Sequence, residues 1–138
     1  MLVLGAGFGG LEVAARLSDA AADRVDVTVI DQSDSFVFGY SKLDVMFGVT
    51  SDTWRTYYRD LARPSVTFRQ ERIVALDPVA KTVQTTANSY TGDVIVVALG
   101  ADLDVSATPG LTDNDEFYSV GGAERFVNRI RDFGSGHA

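Results

Sequence analysis

A glycine cluster near the start of the chain has the spacing of a phosphate-binding turn. Gly5, Gly7 and Gly10 fit the pattern G-x-G-x-x-G within the segment GAGFGG. Each glycine meets a separate demand: the first allows a tight turn from strand to helix, the second lets the backbone approach a pyrophosphate, and the third lets the helix pack closely against the strand. Amide groups at the helix N-terminus would then face the anion. Glycine-rich turns are common, so this pattern indicates a phosphate-binding turn only if a strand precedes it and a helix follows it.

The elements predicted around this cluster are those of a βαβ unit. Residues 1–4 and 25–31 are predicted as buried strands, and residues 9–21 as an amphipathic helix between them. Asp31 ends the second strand 31 − 10 = 21 residues after Gly10, close to the ~20 residues typical of an acid that binds ribose hydroxyls. A carboxylate there would repel a 2′-phosphate, so the pattern favours FAD or NAD over NADP. A glycine turn with a merely solvated Asp31 fits this context poorly.

A long crossover, residues 32–64, follows the second strand. Apolar residues at helical spacing predict a helix from about residue 51 to Pro64, where the proline ends it. Aromatic residues also recur at period two at the start of the crossover. All of these aromatic side chains are interpreted as core: Phe36, Phe38, Tyr40, Trp54, Tyr57 and Tyr58.

Beyond the crossover, residues 66–69 and 93–99 are predicted as further parallel strands, with an antiparallel β-meander over residues 72–91 between them. A last helix is predicted over residues 122–133, followed by a linker-like tail, residues 134–138. The buried side of that helix is predicted to carry Phe126, Val127, Ile130 and Phe133. The fold class expected is therefore α/β, a Rossmann-like doubly wound parallel sheet with a small antiparallel β-meander.

Composition narrows the function classes. The 138 residues carry a net charge of −7, spread along the chain, which argues against a nucleic-acid partner. No cysteine is present, which excludes a disulfide, a cysteine zinc site, an iron–sulfur site and a redox dithiol within these residues. The acidic residues between 102 and 116 are interpreted as a solvated loop and the arginines as surface charge, including Arg72. His137 lies in the tail, so neither a catalytic side chain nor a metal site is predicted.

The order of elements resembles the FAD domain of the pyridine nucleotide-disulfide oxidoreductase superfamily. Three segments carry the resemblance, which is closest to the sulfide:quinone oxidoreductase and type II NADH dehydrogenase group: LGAGFGGLEVAARL, VTVIDQSDSFVFGYSKLDVMFG and DVIVVALGAD. In that superfamily a second glycine motif ends the strand after the meander. Here it ends at Gly100, with Leu99 where threonine is usual, and the turn Pro109-Gly110-Leu111 follows it.

The resemblance implies a set of cofactor-binding residues. Asp31 and Gln32 would meet the adenosine ribose, and backbone groups at Ile73 would read the adenine edge. Ala98 and Gly100 would approach the pyrophosphate and ribityl side. The glycine loop would cradle the pyrophosphate with Gly5, Gly7, Phe8, Gly9 and Gly10.

Lys42, at the end of the aromatic crossover, is a further candidate that would reach a phosphate or the flavin edge. The disulfide reductases of the superfamily carry a cysteine pair after the ribose acid, which this chain lacks. Sulfide:quinone oxidoreductases carry a cysteine near the position of Val120 or Gly121, which is also absent here. Sulfide as electron donor therefore stays open.

The function implied is that of a flavin-dependent oxidoreductase that passes electrons from NAD(P)H or sulfide to a quinone-like or other acceptor. Family chains are considerably longer, so residues 1–138 are expected to be one FAD-binding domain segment of a longer protein. This segment alone is expected to be inactive and to bind FAD weakly or not at all. The expected compartment is the cytoplasm, with any membrane contact made through parts outside this chain. The alternative is a stand-alone regulatory domain that senses NAD without catalysis, which would need neither the meander nor the strand ending at Gly100.

Overall fold

The chain divides into two compact units, each assembled from two stretches of sequence. The first comprises Met1–Phe36 and Tyr57–Gly100, and the second comprises Val37–Thr56 and Ala101–Ala138. All predicted site residues except Lys42 fall in the first unit. The computed structural model describes residues 1–48, 55–109, 111 and 116–134.

The described part of the chain contains short strands and three α-helices. The strands are β1 (Leu2–Leu4), β2 (Val27–Asp31), β3 (Ser35–Val37), β4 (Arg55–Tyr57), β5 (Val66–Gln70), β6 (Ile73–Asp77), β7 (Thr82–Thr85), β8 (Ser89–Thr91) and β9 (Ile95–Val97). The helices are α1 (Phe8–Ala21), α2 (Ser41–Met46) and α3 (Val120–Asp132).

A four-stranded parallel sheet in the order β5-β2-β1-β9 forms the centre of the first unit. Strand β1 pairs with β2 on one side, in the register Leu2 to Thr28, and with β9 on the other, in the register Leu2 to Ile95. The predicted βαβ unit and the flanking parallel strands are thus confirmed. Because the strands are parallel, β1, β2 and β9 all end at the same edge of the sheet, and the loops that follow them meet there.

The two faces of this sheet bury different residues, as the alternation of side chains along a strand requires. On one face, Val3, Val27 and Val29 pack with Ala14 of α1 and with Tyr58. Full burial of a side chain of this size contributes about 1.5–3 kcal/mol. The helix face is therefore held by ordinary hydrophobic packing around β1 and β2.

The opposite face is covered by the predicted meander, an antiparallel sheet in the order β6-β7-β8. Val83 of β7 is fully buried there, in one cluster with Leu2, Leu4 and Ile30. The meander thus takes the place of the second layer of helices in a plain doubly wound fold. This arrangement confirms the expected α/β class with an antiparallel addition.

The helix predicted from about residue 51 to Pro64 is wrong over the residues that the structure describes. Arg55–Tyr57 is a strand and Tyr58–Asp60 is a single 3₁₀ turn. The Tyr58 N–H donates to the carbonyl of Asp34 at 3.0 Å, and the Tyr58 side chain enters the core. These tertiary contacts outweigh the helical spacing of the apolar residues.

The core assignment of the crossover aromatics is right for Tyr58 and wrong for two others. Tyr58 is 7% exposed, whereas Phe38 and Tyr40 are 45% and 76% exposed. Phe36 is half-buried and packs against the core beneath α1. Trp54 lies outside the described residues. Strand β3 ends at Val37, so Phe38 and Tyr40 do not continue the strand that contains Phe36.

The second unit contains α2, which the sequence analysis did not predict, and α3, which begins at Val120 rather than at residue 122. The expected burial along α3 is correct only in part. Ile130 and Phe133 are 41% and 57% exposed, whereas Phe126 and Val127 are half-buried. No helix among residues 1–48, 55–109 and 116–134 is long and apolar enough to cross a membrane.

A buried carboxylate fixes the start of α3. The Ser119 hydroxyl accepts a hydrogen bond from the Gly122 N–H at 2.9 Å and donates to Glu116, which also accepts the Ser119 N–H at 2.9 Å. The hydrogen bonds from Ser119 hold the pKa of Glu116 below its usual range. Glu116 is only 7% exposed, so its assignment to a solvated loop is wrong. Its carboxylate forms part of a helix cap.

A second carboxylate ties the meander to the residues before it. Glu71 accepts hydrogen bonds from Thr85, from the Asn88 side-chain amide at 2.9 Å and from the Tyr90 hydroxyl at 2.7 Å. The bond from Thr85, followed by that from Tyr90, lowers the pKa of Glu71 from its ordinary value of 4.5. A carboxyl group with a lowered pKa stabilises the fold above its unfolded-state pKa, and this contribution is lost as the pH falls through the folded-state pKa.

We therefore expect Glu71→Gln to lower the melting temperature at pH 7 and to have a smaller effect below pH 4. The matched control is Glu124→Gln on α3, an exposed position where the same change should leave the melting temperature nearly unaltered at both pH values. Thermal melts followed by circular dichroism measure both variants. An effect of Glu71→Gln that is equal at pH 7 and pH 3 would contradict this assignment.

Candidate functional site

The first glycine of the loop lies where β1 ends, at the sheet edge shared with β9. The Gly5 N–H donates to the carbonyl of Ile30 at 2.8 Å, and the backbone of Gly5 has a φ of +95°. A Cβ atom at Gly5 would lie 2.4 Å from the carbonyl oxygen of Ala98. Both the left-handed backbone and the close approach of Ala98 therefore require glycine here.

Gly10, in the first turn of α1, brings the helix against this turn. A Cβ atom at Gly10 would lie 1.9 Å from the carbonyl oxygen of Gly5 and 3.3 Å from a methyl group of Val3. Neither the backbone carbonyl nor the buried valine has room to yield. The close helix–strand contact that the third glycine of the motif implies is therefore present.

Gly7 differs from both because no described atom requires glycine there. A Cβ atom there would have no described neighbour within 4 Å. Gly7 is the N-cap of the 14-residue helix α1, which has no side-chain cap, and the first intrahelical bond runs from the Leu11 N–H to the Gly7 carbonyl at 3.0 Å. The amides before Leu11 are left unused by the helix ladder, and the positive end of the helix dipole lies at them.

The peptide groups of Ala6, between Gly5 and Gly7, are held from two directions. The Ala6 N–H donates to one carboxylate oxygen of Asp31 at 2.7 Å, and the Ser33 N–H donates to the other at 2.8 Å. The Ala6 carbonyl accepts the buried hydroxyl of Tyr58 at 2.9 Å. Asp31 thus joins the ends of β1 and β2, and Tyr58 supports the loop from within the core.

Burial raises the pKa of the Tyr58 hydroxyl above its ordinary value, and the negative charges of Asp31 and Asp34 raise it further. The hydroxyl therefore stays protonated at neutral pH and acts as a donor to Ala6. Its ring lies 4.5 Å from that of Phe68, measured between centroids. The sequence analysis assigned Tyr58 only to the core, because its contact with the loop depends on the strand and 3₁₀ turn that replaced the predicted helix.

An open cavity of about 260 Å³ lies beside Asp31. It brings together three predicted site residues, Asp31, Gln32 and Ile73. Its other walls are Arg72 and Leu99, which the sequence analysis did not assign to the site. Each of them directly precedes a predicted site residue in the chain, and this adjacency was the one available signal for them.

A second, apolar cavity of about 300 Å³ lies along α1. The exposed ring of Phe8 contributes to its wall and meets the ring of Phe36 edge-on, with centroids 4.8 Å apart. Phe8 therefore turns its side chain towards this cavity, and only its backbone belongs to the glycine loop.

The remaining predicted site residues lie after the end of β9 and in the second unit. Ala98 follows β9 and donates its N–H to the carbonyl of Leu4 at 2.8 Å, while Gly100 is exposed with a φ of +74°. Lys42 lies in the second unit, where its ammonium group donates to the Tyr118 carbonyl and sits 4.4 Å from the centre of that ring. Its predicted contact with a phosphate or the flavin stays a prediction. Among the described residues, no cluster of acidic or histidine side chains could hold a metal ion.

Comparison with known proteins decides the family. Residues 1–131 match the profile of the family described as pyridine nucleotide-disulphide oxidoreductase. The chain belongs to this family. A type II NADH:quinone oxidoreductase of Staphylococcus saprophyticus is 30% identical over 122 residues, which are 82% of this chain and 29% of the relative. The chain thus spans less than a third of the curated relative that it matches.

Two solved structures share the fold described above. The sulfide:quinone oxidoreductase of Aquifex aeolicus superposes with a TM-score of 0.81 at 22% identity, over 96% of this chain and 31% of that protein. NDH2 of Plasmodium falciparum gives a TM-score of 0.73 at 16% identity, over 96% of this chain and 28% of that protein. At these identities the likeness shows the fold. The 30% identity to a type II NADH:quinone oxidoreductase agrees with the predicted group within the superfamily.

Proposed function

We propose that this chain is the FAD-binding segment of a flavin-dependent oxidoreductase, and that it holds the adenosine diphosphate half of FAD. One observation carries the proposal: the carboxylate of Asp31 accepts a hydrogen bond from the glycine loop at 2.7 Å, and Asp31 also lines the neighbouring cavity. An anion-binding helix end and a ribose-binding acid are thereby adjacent at the edge where β1 and β2 end. Ligands of doubly wound folds bind at this edge.

The glycine loop fits a pyrophosphate. Contacts within the protein account for glycine at positions 5 and 10, because a Cβ atom on Gly5 or Gly10 would clash with a backbone carbonyl. No described protein atom explains Gly7, where the space above the backbone is open. A phosphate group that approaches this backbone would account for glycine there and would meet the positive end of α1.

The cavity beside Asp31 fits an adenosine. Each carboxylate oxygen of Asp31 accepts one backbone N–H and, since it has two lone pairs, keeps one for a ribose hydroxyl. Ile73 and Leu99 supply apolar walls for the base, with backbone groups at Ile73 available for the adenine edge. The planar guanidinium of Arg72 would stack on the base.

The flavin, when bound, supplies the electron-transfer chemistry, and the residues of this chain bind and orient it. The names of the relatives support NAD(P)H or sulfide as electron donor and a quinone-like acceptor for the whole protein. Because the chain spans 29% of its curated relative, we propose that most contacts to the flavin ring, the donor and the acceptor lie in regions without a counterpart here. A cytoplasmic location, with membrane contact only through those regions, is part of this proposal.

The meander and the end of β9 count against an NAD-sensing domain without catalysis. Such a domain needs the first βαβ unit only, whereas here the meander buries one whole face of the sheet and supplies Ile73 to the cavity. Membership of an oxidoreductase family also favours the enzyme.

We expect ADP to raise the melting temperature of the chain and 2′-phospho-ADP to raise it much less, because Asp31 repels the added phosphate. ADP at ten times its dissociation constant would stabilise the fold by about 1.4 kcal/mol. FAD should bind about as weakly as ADP, since only its ADP half would be held. Differential scanning fluorimetry with the three ligands measures this.

Asp31→Asn serves as the variant without charge: its one carbonyl oxygen can still accept the Ala6 N–H, while the hydrogen bond from the Ser33 N–H is lost. In this variant the two ligands, ADP and 2′-phospho-ADP, should raise the melting temperature by more similar amounts. An unchanged melting temperature with ADP would overturn the proposed site. If 2′-phospho-ADP stabilised the unaltered chain more than ADP does, the 2′-phosphate would be bound, by Arg72, and repulsion by Asp31 would be ruled out. Tight FAD binding would overturn the proposal that the flavin ring is held elsewhere.

A further inference from the structure

We propose that Tyr58 is a positioning residue that aims the N–H of Gly7 at the diphosphate of the bound nucleotide. The inference rests on the proposed function and adds to it a residue outside the glycine motif. Tyr58 lies 51 positions after Gly7 in the chain (58 − 7) and reaches the loop only through the fold. Its hydroxyl donates a hydrogen bond to the carbonyl of Ala6 at 2.9 Å.

Because of the geometry of the peptide group, this hydrogen bond also determines the direction of the Gly7 N–H. The Ala6 carbonyl and the Gly7 N–H belong to one peptide group, and the described peptide bonds include none in the cis form. In a trans peptide the carbonyl and the N–H point in opposite directions. Because Tyr58 draws the Ala6 carbonyl towards the core, the Gly7 N–H points away from the core. A Cβ atom on the same residue would meet no described atom within 4 Å, so there is room for a ligand beside Gly7.

Tyr58 is itself held firmly enough to act as such an anchor. Its side chain is 7% exposed, its ring packs on Phe68, and its own N–H donates to the Asp34 carbonyl at 3.0 Å. Core packing alone would need only the ring. The buried hydroxyl requires a partner, and its partner is a carbonyl of the proposed binding loop.

Asp31 completes the restraint from the opposite direction. It accepts the N–H of the Gly5–Ala6 peptide, while Tyr58 donates to the carbonyl of the next peptide. Two consecutive peptide groups are therefore fixed before any ligand arrives. A loop fixed in advance loses less conformational freedom when it binds, which favours affinity.

The test is the change Tyr58→Phe, which keeps the ring and removes the hydroxyl. We expect the affinity for ADP to fall roughly tenfold, with the affinity for adenosine nearly unchanged, because only ADP uses the Gly7 amide. NMR titrations of the ¹⁵N-labelled chain measure both ligands. The control is Tyr90→Phe, which also removes a phenol hydroxyl, here one that donates to Glu71, and should leave the ratio of the two affinities as it was.

A second readout needs no ligand. Amide hydrogen exchange at Ala6 should accelerate in Tyr58→Phe and stay unchanged in Tyr90→Phe, because only the first change frees the loop. Unaltered exchange at Ala6, an equal loss of adenosine and ADP binding, or loss of the fold in Tyr58→Phe would each overturn the positioning role. Failure of the unaltered chain to bind ADP would instead overturn the proposed function, and with it the ligand for which the loop is positioned.

Discussion

Replacing Gly10 with alanine is expected to lower the free energy of unfolding by about 3 kcal/mol, the upper end of the usual cost of overpacking. The added methyl group would lie 1.9 Å from the carbonyl oxygen of Gly5. That carbonyl cannot move freely, since Gly5 is pressed against the backbone of Ala98 and its N–H is bonded to Ile30. Relief of the clash would push α1 away from β1 and expose the core between them.

Urea denaturation followed by circular dichroism measures this loss. Gly39→Ala is the control, because a Cβ atom at Gly39 meets no described atom within 4 Å and the position is exposed. It should change the free energy of unfolding by less than about 1 kcal/mol. A Gly10→Ala variant as stable as the control would contradict the close approach of α1 to the loop.

Replacing Gly7 with alanine is expected to have the opposite profile, with stability retained and nucleotide affinity lost. The new methyl group meets no described protein atom, so the fold should be unaffected to within about 1 kcal/mol. It would, however, occupy the space in which the pyrophosphate approaches the backbone. Loss of charge-assisted hydrogen bonds to the amides there should weaken ADP binding by roughly tenfold to a hundredfold.

Isothermal titration calorimetry with ADP, together with a denaturation curve, separates the two effects. Gly39→Ala again serves as the control and should bind ADP like the unaltered chain. ADP binding that survives in Gly7→Ala would place the phosphates elsewhere. A Gly7→Ala variant that unfolds would show that Gly7 serves the fold, and the open space above it would no longer argue for a ligand.

The first βαβ unit was predictable from the sequence because its signals are local. Glycine spacing, β-branched strands and the position of Asp31 all depend on residues close together in the chain. The same is true of the meander, whose short strands alternate with turns. Here each local preference agrees with the final fold, as expected for a sequence with few conflicting signals.

The crossover was not predictable in this way, because its structure depends on distant partners. The helical spacing at Tyr57, Tyr58 and Leu61 is real, yet Tyr58 is fixed by the loop and by the Asp34 carbonyl. Those contacts exist only once β1, β2 and the crossover have come together. The support of the binding loop was therefore invisible in the sequence, although the loop itself was not.

For the same reason, some residues that line the cavity beside Asp31 were predicted and others were missed. Resemblance to the family supplied Gln32 and Ile73, which lie far apart in sequence and meet in the structure. Arg72 was assigned to the surface because its charge alone does not indicate which part of the structure it lies against. Arg72 lines the cavity because the residue before it is bonded to the end of β2, where the Glu71 N–H donates to the Asp31 carbonyl at 2.8 Å.

An NMR titration of the unaltered ¹⁵N-labelled chain with ADP would locate the nucleotide directly. The largest chemical-shift changes are expected at the amides of residues 5–10, at Asp31 and Gln32, and at Ile73, with saturation at a single site. Residues of α3 should stay unaffected. Shifts confined to other parts of the chain, or none at all, would contradict the assignment of the glycine loop and the Asp31 cavity as one nucleotide site.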